Sequence, residues 1–165
     1  FMGSDYGNPQ ALTLRPIDAE NFWDIIGLEV ADGQQDFVLS NAVSIAQARV
    51  QPECVPLAIY NGNTPVGFVM YCLDRDDDEY WIYRLMIDQV HQGKGLAKTA
   101  MRHVLREIAL DRSRDKVFLG VQQDNENAVE LYQKLGFRFD GRVFGHEHVM
   151  VLPSLEPFRE RQNGK

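Results

Sequence analysis

Apolar and polar positions alternate from Leu12 to Ile17, a period of two that predicts a first strand, broken at Pro16. Asp18 then stands as a helix N-cap ahead of Phe22, Ile25 and Ile26, and Gly27 and Gly33 interrupt that helical region. Residues 34–50 carry Phe37, Val38, Leu39, Val43 and Ile45, with Ser44 suited to cap a new turn; two short helices joined by a bend are expected. Pro56 to Tyr60 and Pro65 to Leu73 are apolar runs around Asn61-Gly62-Asn63, a turn whose residues tolerate positive φ. A third run, Tyr80 to Asp88, completes an antiparallel meander. From Leu96 to Asp111 the period lengthens: Leu96, Ala100, Met101, Val104, Leu105 and Ile108 fall on one helical stripe. Lys116 to Val121 returns as a strand, so strand, helix, strand implies a parallel crossover. A short helix follows Asn125, and Phe137 to Phe144 with Glu147 to Leu152 make a last hairpin around Gly145.

This order predicts an α/β (α+β) fold: a mixed, mostly antiparallel central sheet with helices on both faces. At 165 residues the chain suits one domain, expected over residues 11–152. Phe1 precedes Met2, so residues 1–10 are read as a disordered or artificially appended start, and residues 153–165 as a polar tail that frays.

Hydrophobic residues at 44% and charged residues at 25% are ordinary for a soluble domain, and no apolar run reaches the ~20 residues that span a bilayer. A cytoplasmic, non-membrane protein is expected. The net charge of −7 argues against a nucleic-acid surface and suits cationic partners. Cys54 and Cys72 lack ligand-type spacing and read as buried free thiols. His146 and His148 share a strand face without a third ligand, so no metal is expected; His91 and His103 read as exposed fillers.

Between the strand ending at Asp88 and the long helix lies Gln92-Gly93-Lys94-Gly95-Leu96-Ala97. Gly93 and Gly95 let the backbone turn sharply and aim N–H groups outward at the positive end of the helix dipole, an anion-binding arrangement. It is not a P-loop, which needs G-x-x-x-x-G-K-[ST], nor a dinucleotide fingerprint, whose third glycine would fall on Lys98. It resembles the acetyl-CoA pyrophosphate loop of the GCN5-related N-acetyltransferases (GNAT), [QR]-x-x-G-x-[GA]. A second stretch, Asn125-Glu126-Asn127-Ala128-Val129-Glu130-Leu131-Tyr132-Gln133-Lys134-Leu135-Gly136-Phe137, resembles that family's N-x-x-A-x-x-L-Y-x-K-L-G-F at every fixed position. An amphipathic helix closed by Gly136 accounts for its apolar positions but not for Asn125 and Tyr132.

The resemblance spans Leu12 to about Leu152 and implies a GNAT fold with a splayed parallel strand pair that takes the pantetheine arm. It implies that the backbone of Leu85, Met86 and Ile87 pairs with pantetheine amides. Gln92, Gly93, Lys94, Gly95, Leu96, Ala97 and Lys98 would hold the pyrophosphate, with Asn125 and Lys134 completing the acetyl-CoA site. Tyr132 would be the general acid that protonates the departing thiolate of CoA, a role open to a phenol of pKa ~10.

The attacking amine must first lose a proton, which costs about 4.6 kcal/mol at pH 7 for a pKa of ~10.4. In polyamine acetyltransferases of this family a glutamate nine residues before the [QR] position often assists; here that position is Tyr83. Asp88, Glu79 and Asp36 remain as candidate bases. Asp74-Arg75-Asp76-Asp77-Asp78-Glu79 is either a solvated loop or a field that draws in a polycation. Stretches such as Pro56-Leu57-Ala58-Ile59-Tyr60 and Tyr80-Trp81-Ile82-Tyr83-Arg84-Leu85-Met86-Ile87-Asp88 resemble a bacterial subgroup of diamine and spermine/spermidine acetyltransferases. That implies a polycationic small-molecule amine as acceptor, with Asp36, Phe37, Asn41, Glu79 and Tyr83 as candidate contacts, and by family habit a homodimer. A protein or peptide N-acetyltransferase and a non-catalytic acetyl-CoA sensor stay open as alternatives.

Overall fold

The computed structural model describes residues 12–31 and 39–160. Seven strands, β1 (Leu12–Pro16), β2 (Cys54–Asn61), β3 (Thr64–Leu73), β4 (Tyr80–Ile87), β5 (Val117–Gln122), β6 (Arg138–Phe144) and β7 (Glu147–Leu152), form one sheet in the order β1-β2-β3-β4-β5-β7-β6. Every neighbouring pair is antiparallel except β4 and β5. Helices α1 (Phe22–Ile26) and α2 (Asn41–Val50) cover one face, and α3 (Leu96–Ile108) and α4 (Glu126–Lys134) the other.

Alternation along the strands builds both cores. Leu57, Ile59 and Val69 point to the α3 and α4 side, whereas Ala58, Phe68 and Met70 point to the α1 and α2 side. All six stripe residues of α3 are buried against the first set. Each large one contributes roughly 1.5–3 kcal/mol. The helix stops at Ile108, short of Asp111, whose carboxylate instead accepts from the Tyr80 phenol at 2.9 Å.

The site depends on a defect in β4. Met70 pairs with Arg84 but Tyr71 with Ile82, so Tyr83 is an extra residue, a β-bulge. The parallel ladder to β5 consists of Tyr80–Val117, Trp81–Phe118 and Ile82–Leu119 and ends there. Beyond it, β4 and β5 run apart and leave a slot.

Four expectations need correction. A polar tail fraying from Pro153 is not what the described part shows: Leu155 is fully buried, its N–H donates to the Asp115 carbonyl at 2.8 Å, and a 3-10 turn follows at Glu156–Phe158. One apolar side chain in a polar run was enough to dock it. The α2 cap is Ser40, which accepts from Val43 N–H; Ser44 is buried inside that helix. Asp18 accepts from the N–H groups of Glu20 and Asn21, one turn before α1, while Asn21 holds the N-cap position. His91 is half-buried and lines a cavity rather than filling surface. Among the described residues no helix is long and apolar enough to cross a membrane.

Candidate active site

The loop before α3 has a geometry that suits an anion. Gly93 and Gly95 have φ of 80° and 74°, a left-handed geometry that costs an L side chain about 1–2 kcal/mol, and Gly95 is the N-cap of α3. A Cβ at either would meet nothing within 4 Å, so backbone conformation and not crowding calls for glycine there. The Gln92 amide donates to the Ile87 carbonyl at 2.9 Å and pins the loop to the end of β4.

A cavity of about 590 Å³ opens from this loop and runs along α4. Of the residues expected to hold acetyl-CoA, Leu85, Met86, Ile87, Gln92, Gly93, Gly95, Leu96, Ala97, Lys98, Asn125 and Lys134 line it. Lys94 lies exposed on the loop outside that lining. Positive-φ glycines at a helix N-terminus, beside a mostly apolar cavity, suit a diphosphate with a pantetheine arm. Lys134 also pairs with Glu130 at 2.9 Å on the exposed rim. Asn125 caps α4, accepting from Ala128 N–H at 3.4 Å.

The slot between β4 and β5, about 280 Å³, shares Leu85, Asn125, Ala128 and Tyr132 with the first cavity. It shares Ile82, Tyr83, Arg84, Gly120 and Glu147 with a third, of about 230 Å³, on the α2 side. The three therefore form a series. Tyr132 stands at the junction of the first two, and Arg84 and Glu147 at the junction of the last two.

Burial, and then the Glu147 charge, push the Tyr132 phenol up to about 12, so it is a neutral donor at physiological pH. Tyr83 donates to Asp74 Oδ2 at 2.6 Å; burial first and this bond next hold its phenol far above the usual range. It cannot replace the missing glutamate as a base. Arg84, half-buried, donates to the Tyr83 carbonyl at 2.6 Å and to Gln47 at 3.4 Å, and burial lowers its pKa.

The other acceptor candidates scatter. Asn41 is buried and donates to the Ile25 carbonyl at 2.8 Å, joining α2 to α1. Asp36 and Phe37 lie outside the described residues. Asp88 accepts from Glu29 N–H at 2.9 Å, and Glu79 lies at the end of the acidic loop, outside all three cavities. Within that loop Asp77 accepts from the Trp81 indole and Asp78 pairs with Arg114 at 2.7 Å, so the run is in part an internally bonded turn. Cys54 and Cys72 face each other across β2 and β3; burial, then the neighbouring thiol, push Cys54 up to about 12, which leaves it unreactive. No group of three or more metal-ligating side chains gathers among the described residues.

Glu147 was missed from the sequence. It lies in His146-Glu147-His148, where the histidines draw attention, and only the register of β7 against β5 sets it opposite Gln122 at the mouth of the slot.

A family profile described as Acetyltransferase (GNAT) family matches residues 13–137. The chain belongs to the GNAT acetyltransferase family. It is 30% identical over 148 residues to the spermine/spermidine N(1)-acetyltransferase of Bacillus subtilis, covering 86% of this chain and 97% of that one. A solved structure of spermidine N-acetyltransferase from Vibrio cholerae in complex with CoA and spermine superimposes with a TM-score of 0.71 at 19% identity, over 90% of this GNAT chain and 98% of that one. That likeness carries the fold. The rat N-acetylaspartate synthetase is 33% identical over 118 residues, 70% of this chain and 38% of that one.

Proposed function

We propose that this GNAT enzyme transfers the acetyl group of acetyl-CoA to a primary amine of a diamine or polyamine, by direct attack on the thioester. The observation that carries the reading is the series of three cavities: anion loop, slot with Tyr132, then an aromatic chamber with one carboxylate. The full-length similarity to a spermine/spermidine acetyltransferase supports the acceptor class.

The backbone N–H groups from Gly93 to Ala97 hold the diphosphate, with Lys98 at the wall. The open edge of β4 from Tyr83 onward, unpaired to β5, offers main-chain groups to the pantetheine amides as an added strand would. Trp81, Tyr83 and Phe144 line the α2-side cavity and give the methylene stem of the amine an aromatic wall to pack on. The amine loses its first proton to solvent through the open mouth, and its lone pair forms the C–N bond. As the C–S bond breaks, Tyr132 gives its proton to the thiolate and recovers one from the acylated nitrogen. The buried, unreactive state of Cys54 favours this route over an acetyl-cysteine intermediate.

A cytoplasmic setting belongs to the same reading, since buried free thiols suit a reducing compartment. So does a homodimer, to be tested by light scattering. The deciding assay is thiol release from acetyl-CoA across spermine, spermidine, putrescine, aspartate and lysine-containing peptides. Turnover with polyamines supports the reading; turnover with peptides or aspartate alone overturns the acceptor class.

A further inference from the structure

Two features at the inner junction are unexplained by acetyl-CoA binding or by Tyr132. The first is a charge conflict. Arg84 lines both the slot and the α2-side cavity, and a half-buried guanidinium repels a polycation entering there. Glu147 is the one carboxylate lining either cavity among the described residues, and it lines both. The second is Gly120 on β5, which has ordinary backbone angles and so no conformational need for glycine. A Cβ there would lie 2.5 Å from Glu147 Oε2 and 3.2 Å from its Cδ. Glycine at 120 is what leaves the carboxylate its place over the strand.

We propose that Glu147 is the specificity-determining carboxylate of the acceptor side, holding the charged nitrogen that follows the reacting amine, and that Gly120 keeps the room for it. This rests on the polyamine reading above. The geometry offers an anchor: the carboxylate, lining both the slot and the α2-side cavity, holds a second ammonium while the first nitrogen, next to Arg84, reacts as the neutral amine. A monoamine has no second ammonium to place on Glu147 and forgoes that contact.

The test compares kcat/KM for putrescine and n-butylamine, equal in chain length and different by one ammonium, in the wild type, Glu147→Gln, Glu147→Asp and Gly120→Ala. The wild type should prefer putrescine, and Glu147→Gln should reduce that preference about tenfold, mostly through KM, with acetyl-CoA Kd by calorimetry within twofold. Glu147→Asp should retain part of it, and Gly120→Ala, which displaces the carboxylate without neutralising it, should move in the same direction as Glu147→Gln. Undiminished preference in Glu147→Gln overturns the role of Glu147 and leaves the polyamine reading standing; undiminished preference in Gly120→Ala overturns the role of Gly120. A wild type that does not distinguish the two amines overturns the polyamine reading and this inference with it.

Discussion

The phenol of Tyr83 donates to Asp74 Oδ2 at 2.6 Å, which ties the bulge of β4 to the first residue of the acidic loop. The same residue lines the slot, so the loop and the wall of the slot are one hydrogen-bonded unit. Tyr83→Phe leaves the Asp74 carboxylate without this donor and should cost about 1–2 kcal/mol in urea unfolding. Because burial and Asp74 keep this phenol protonated through neutral and moderately alkaline pH, the kcat profile between about pH 6 and pH 9 should keep its shape. Loss of a limb in Tyr83→Phe would show that Tyr83 titrates in turnover.

Tyr132→Phe should lower kcat by about 10²–10⁴-fold and leave acetyl-CoA Kd within about twofold, checked by calorimetry. A pH signature accompanies it. The native phenol is raised from 10.0 to about 12, so the folded state holds this proton more tightly than the unfolded one. Its stabilising effect is complete below pH 10 and is lost as pH rises through 12, a change of roughly 2–3 kcal/mol. Tyr71 and Tyr83 are also raised by burial, so the wild type alone cannot assign the slope. Stability measured at pH 9 and near pH 12 should fall less in Tyr132→Phe than in the wild type, by about 2 kcal/mol.

How much of this was legible in the residues depended on how local the signal was. The α3 stripe, the positive-φ glycines and the Asn125-to-Phe137 helix each show within a few consecutive positions, and the structure keeps them. The splay was implied by resemblance, yet the point where it begins coincides with a one-residue mismatch, Tyr83, visible only once β3 is registered against β4. Glu147 was hidden for the same reason: its position follows from strand order β5-β7-β6, a non-local fact, and from a glycine on another strand. Ser40 and Ser44 were equally good caps by type. What decided between them is that Ser44 falls on the buried face of α2.

The left-handed geometry of Gly95 makes a separable prediction about the anion loop. Gly95→Ala meets no neighbouring atom, so the fold persists, and backbone strain of about 1–2 kcal/mol falls on the loop itself. If the loop relaxes away from φ of 74°, its N–H groups turn off the diphosphate. Acetyl-CoA Kd should then rise at least about tenfold, by more than the loss in unfolding free energy accounts for. An unchanged Kd would place the diphosphate elsewhere.

The C-terminal segment should be part of the folding unit and not an appendage. Leu155 is fully buried in the same cluster as Leu105 and Ile108 of α3, and its N–H is bonded to the Asp115 carbonyl. Arg159, with its side chain largely covered, donates to the Arg114 carbonyl at 2.7 Å and pairs with Asp115 at 3.0 Å. Arg114 in turn pairs with Asp78 and Asp111, so the segment closes the far end of the sheet from the anion loop. Leu155→Ala removes buried methyl groups and leaves a cavity, at a cost of about 2–5 kcal/mol. Arg159→Ala, which removes a largely covered side chain and its bond to the Arg114 carbonyl, should cost about 1–3 kcal/mol. Since neither side chain lines the cavities, both variants should retain wild-type kcat/KM at temperatures where they stay folded. A Leu155→Ala protein as stable as the wild type would return this segment to the status of a frayed tail.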